Sequence, residues 1–99
     1  MREEEELLFL TLLQIFKTHD TLRVATEVVM NRILEKGDDW VRVWWDHLWD
    51  WWCEVMEVFN SKENWDEESA TLLREYVLFS YWDLLQNLAS ELGISENEP

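Results

Sequence analysis

The stretch "RVWWDHLWDWWCEVM", residues 42–56, holds five tryptophans in fifteen positions. Read in order, the residues look unpatterned. Placed at 100° per residue, they separate into two faces. Trp40, Val41, Trp44, Trp45, Leu48, Trp49, Trp51, Trp52, Val55, Met56, Val58 and Phe59 share one half-circle. Arg42, Asp46, Asp50, Cys53, Glu54, Glu57 and Asn60 take the other, with Val43 and His47 on its flanks. This predicts an amphipathic helix over about 39–59, started by Asp38 or Asp39 as its cap.

Six indoles on one helix are first a packing pattern. Burying one removes about 200 Å² from water, worth about 4–5 kcal/mol as an upper estimate. Each buried indole N–H also needs an acceptor, and six acceptors are hard to supply in a small core. Most of the rings are therefore expected in the core, and some at a groove or an oligomer contact. Trp40, Arg42, Trp44, Trp45, Trp49 and Trp52 are the candidate partner-binding residues.

Three further helices can be drawn outward from this one. The first covers about 3–18, with Glu3 to Glu6 in the turn where the helix dipole favours negative charge. Leu8, Phe9, Leu10, Leu12, Leu13, Ile15 and Phe16 cover well over half its circumference, which predicts burial on several sides. The second covers about 21–36, capped by Asp20 and stopped by Gly37. The fourth covers about 65–92, with Asn64 and Glu67 as a capping pair and Gly93 as the stop. Residues 93–99 read as a frayed tail.

Two glycines and one proline in 99 residues leave few breakers, so the helices must be joined by short loops. The expected architecture is all-α, a compact bundle of about four helices in a single domain. The fourth helix is the longest, at roughly 40 Å against roughly 24 Å for the first, so it should overhang its neighbours or run through their centre.

The net charge of −14 opposes direct binding to nucleic acid or to anionic membranes, which need clustered Lys and Arg. It fits solubility, a basic partner, or mimicry of a nucleic acid. The single cysteine, Cys53, excludes an intrachain disulfide. No signal peptide is visible, and "LLFLTLLQIF" at 7–16 is too short for a membrane span, so a cytoplasmic location is expected.

Chemistry-bearing constellations are sparse. Asp46, Asp50 and Glu54 recur every four residues near His47, but they lie on the polar face, where a bundle-type metal site is not built. Cys53 sits among Asp50, Glu54 and Glu57, which disfavour a thiolate. Gly-rich phosphate loops, Cys-x-x-Cys and His-Glu-x-x-His are missing from the sequence. Neither an enzyme nor a cofactor is expected.

One family resemblance enters at "VATEVVMNRILEKGDDWVRVWW", residues 24–45. A helix ending at a glycine, followed by Asp39, Trp40, Val41 and Arg42, resembles the first homology segment of the B-cell-lymphoma family of apoptosis regulators. The long apolar helix, "NSKE" and the segment ending near "LLREY" also resemble that family's central hairpin. The resemblance implies a groove for an amphipathic partner helix, with Arg42 pairing an aspartate on it. Val41 stands where the family has a glycine, and no Gly-Trp segment follows the fourth helix.

Three functional expectations result. The leading one is a non-enzymatic scaffold, whose capped helices, minimal loops and glutamate-rich start agree with a designed protein. The second is a protein-interaction module that takes an amphipathic helix, or a second copy of itself, in a tryptophan-lined groove. The third is an acidic nucleic-acid mimic.

Overall fold

The computed structural model describes residues 3–94, and the expected tail at 95–99 lies outside them. Four helices follow one another: α1 (Glu3–Thr18), α2 (Asp20–Lys36), α3 (Asp38–Asn60) and α4 (Glu67–Leu92). The fold is an all-α bundle, and helix accounts for 89% of the described residues. α2 is its hub, packing against α1, α3 and α4, while α3 and α4 also pack on each other.

The helix ends show local chemistry that the sequence reading placed one or two residues off. Asp20 was expected to cap α2, but His19 does so, its Nδ1 accepting from the Leu22 N–H at 3.4 Å. Asp20 lies in the first turn instead, where its charge still complements the dipole. For α3 the cap is Gly37 rather than Asp38 or Asp39, and it offers no side-chain acceptor. Gly37 also ends α2, at φ 109° and ψ −175°, so one residue turns the chain from helix to helix. A Cβ there would touch nothing within 4 Å, so backbone strain and not crowding calls for glycine.

α4 begins at Glu67, not at Trp65, because Asp66 accepts from the Ser69 N–H at 2.7 Å and takes the role expected of Asn64. That hydrogen bond holds the Asp66 carboxyl below its ordinary pKa. Trp65 instead folds the connection back: its Nε1–H donates to the Phe59 carbonyl at 3.0 Å, and its ring stacks on Phe59. At the far end, the Ile94 N–H donates to Ala89 and that of Gly93 to Ser90, with Gly93 left-handed at φ 78°. These paired bonds close the last turn, and Ile94 packs on the core rather than fraying.

The core takes Leu8, Leu12 and Ile15 from α1, Leu22, Val29 and Ile33 from α2, and Leu48, Trp51, Trp52 and Val55 from α3. From α4 come Tyr81, Leu84, Leu85, Leu88 and Leu92, all in its C-terminal half. The expected overhang is therefore present: no residue of the Glu67–Ser80 half is fully buried. The expectation for α1 is corrected. It buries one stripe, and Leu7, Phe9, Leu10 and Leu13 remain exposed, because α1 packs mainly on α2 and no other helix covers its outer side.

Tyr81, which is fully buried, fastens α4 to α2. Its hydroxyl lies 2.7 Å from Thr26 Oγ1, and the Thr26 hydroxyl donates to the Leu22 carbonyl at 2.7 Å. The phenol therefore acts as donor to Thr26. Burial pushes the Tyr81 pKa up to about 12, against a partial lowering by the Thr26 bond. Because the folded state prefers the neutral phenol, stability is intact below pH 10 and falls as pH rises from about 10 to about 12. The fall attributable to this group is about 3 kcal/mol. Urea titrations across that range should show it, and Tyr81→Phe should flatten it at a cost of about 1 kcal/mol near neutrality.

Candidate partner-binding surface

α3 turns its tryptophans inward because they share one face of a helix held between α2 and α4. Trp51 and Trp52 are fully buried, while Trp40, Trp44, Trp45 and Trp49 are half-buried against the core. All eight tryptophans of the chain are at least half-buried, so no indole stands free in solvent. Trp51 is the best anchored: its Nε1–H donates to Ser80 Oγ at 2.7 Å, and its ring lies 5.2 Å from that of Tyr81. Ser80 passes the bond on to the Tyr76 carbonyl at 2.7 Å.

The shortage of indole acceptors is real. The Nε1–H groups of Trp44 and Trp52 are buried without a hydrogen-bond partner among the described residues. Such a donor costs about 1–3 kcal/mol of desolvation. Both rings remain inside because the apolar area they remove from water outweighs that cost.

Of the six candidate partner-binding residues, the structure brings three together. Arg42, Trp44 and Trp45 line a shallow recess with Asp38 and Val41, near the start of α3. Trp45 is also covered by Phe9 of α1, at 5.9 Å between ring centres. Trp40 lies under the Lys36 ammonium, 5.3 Å from its ring centre. Trp49 packs on the core, and Trp52 is buried within it. A continuous tryptophan-lined groove is not formed.

The larger opening is elsewhere. Between α1 and the overhanging half of α4 runs a cleft of about 540 Å³. Leu7, Leu10 and Ile15, with Thr11, Gln14 and Thr18, form its α1 wall, and Arg74, Val77 and Leu78 its α4 wall. At Leu78 it meets a second recess of about 300 Å³, at the α1–α2 corner, lined by His19, Leu22, Phe79 and Trp82 among others. Among the described residues, no Asp or Glu lines either recess, in a chain that has 22 of them. The described lining leaves apolar groups open on this surface. The sequence signal was available in α1, whose apolar arc is wider than one contact can bury.

Ionic and metal chemistry is modest. His47 Nε2 lies 3.3 Å from Glu91 Oε2 across the α3–α4 seam, and both side chains are partly exposed. Among the described residues no group of three or more His, Cys, Asp or Glu side chains is placed to hold a metal ion. Cys53 is exposed. No described helix is long and apolar enough to cross a membrane. No protein-family model, curated protein or solved structure matches the chain significantly.

The two buried indoles of α3 give a paired test. Trp51→Phe loses a hydrogen bond, whereas Trp52→Phe removes an N–H that has no acceptor. The ring area lost is the same, so Trp51→Phe should be the more destabilising by about 2 kcal/mol in urea unfolding. Equal losses would mean that the Trp52 N–H is satisfied in solution.

Proposed function

We propose that the protein is a non-enzymatic interaction module, and that the cleft between α1 and α4 receives one amphipathic helix. The observation that carries this reading is a largely apolar cleft with no acidic residue in its described lining, in a chain of net charge −14. Contiguous exposed apolar surface rimmed by polar residues marks a binding surface, and a cleft between two helices suits a third. The guest would set an apolar stripe against Leu7, Leu10 and Val77. Basic residues on its outer edges would meet the acidic surroundings. This places the contact away from the tryptophans of α3 and leaves Arg42 outside it. An Arg42-centred groove, as the apoptosis-regulator resemblance implies, would need the guest beside Trp44 and Trp45.

A second reading, a scaffold whose only activity is folding and whose origin is design, is supported by the inward turn of the six α3 tryptophans. One titration separates the two. A fluorescein-labelled amphipathic peptide, with leucines at helical spacing and equal Lys and Glu, serves as probe so that net charge alone does not bind it. Saturable binding is expected, reduced at least tenfold by Leu10→Glu and unchanged by Leu34→Glu, whose side chain is exposed away from the cleft. Absence of binding, or equal loss in both variants, would leave the scaffold reading.

A further inference from the structure

We infer that a second copy of the chain packs its α1 antiparallel on the exposed Leu7, Leu10 and Leu13 face of this α1. This rests on the cleft reading above only through Leu7 and Leu10, which the two surfaces share, since Leu13 is not among the cleft's lining residues. α1 is symmetric about Leu10 in its apolar and charged positions.

A two-fold contact must be self-complementary, so residue i of one copy meets residue j of the other and the reverse. With Leu10 on the axis, Leu7 meets Leu13 of the second copy, and Leu13 meets its Leu7. These leucines are 49%, 56% and 53% exposed at positions 7, 10 and 13, so each has apolar surface left to bury. In the same register Glu3 meets Lys17, and Glu6 meets Gln14. Glu3, Glu6, Gln14 and Lys17 are all exposed in the single chain. The helix is thus acidic where it starts and basic where it ends, with leucines between. That arrangement favours antiparallel over parallel pairing, because a parallel pair would set Glu3 and Glu6 against their own copies.

The buried stripe of α1 (Leu8, Leu12 and Ile15) lies on the opposite side of the helix, so the pairing needs no rearrangement of the core. The seam is short, since a helix of 16 residues is about 24 Å long. A contact of that length lies at the low end of interface sizes, so the dimer forms and dissociates with concentration.

Sedimentation velocity, run from low micromolar to near-millimolar protein in moderate salt to screen the net charge, tests this directly. The apparent mass should rise from 12.1 kDa towards twice that value. Leu10→Glu should hold it at the monomer, with helicity by circular dichroism unchanged because Leu10 is exposed. Leu34→Glu should dimerise like the parent chain. Glu3→Lys and Lys17→Glu should each weaken the dimer at least threefold, and the double exchange should restore it. A monomer at every concentration would overturn the inference, as would a dimer indifferent to Leu10→Glu or an exchange that fails to restore. If the chain stays monomeric while the labelled peptide still binds through Leu10, only the self-pairing fails. If neither associates, the cleft reading fails with it.

Discussion

The packed part of this bundle depends on the contact between Tyr81, Thr26 and Trp51. A phenol with no exposed surface is tolerable only if its hydroxyl is satisfied, and Thr26 of α2 is what satisfies it. The same ring lies against Trp51 of α3, whose indole N–H returns to Ser80, the residue before Tyr81. Three helices are thereby fixed in rotation as well as in distance. Leucines alone would hold α2, α3 and α4 together, but they would not choose one register, since apolar contact has no direction.

α1 is outside that arrangement. It has no polar tie of this kind to another helix among the described residues, and its contact to the bundle is apolar, made by the Leu8, Leu12 and Ile15 stripe with Phe9 and Phe16 beside it. The overhanging half of α4 faces it without closing on it. The cleft results from that mismatch: α4 is 26 residues long, while α1 is 16 and is carried on α2 through the one-residue connection at His19. Apolar groups left in such a place cost solubility, and the net charge of −14 offsets that cost.

The helix boundaries were legible to within about two residues because periodicity and breakers are local properties. The caps were less so. Asp20, Asp38 and Asn64 are all reasonable caps by residue preference, yet His19, Gly37 and Asp66 hold those places. At each junction several residues compete for the same amide groups, and the angle between the helices decides which of them reaches. The tryptophans of α3 depend on their neighbours in the same way. Most of the rings were expected in the core, and rings on one helical arc are buried together when that arc faces two neighbours. The less conspicuous leucines of α1 were left outside.

The sequence by itself determined that the chain is helical, where its four helices lie, that the α3 indoles share one face, and that acceptors for six indole N–H groups would be scarce. Those are consequences of spacing along one chain and of counting donors. Only the tertiary structure decided which apolar face is covered. Leu8 and Leu10 are two residues apart and equally hydrophobic, and one is fully buried while the other is more than half exposed. What separates them is the direction from which α2 approaches, and that is set by the turn at His19 together with the fastening of α2 to α4 through Tyr81.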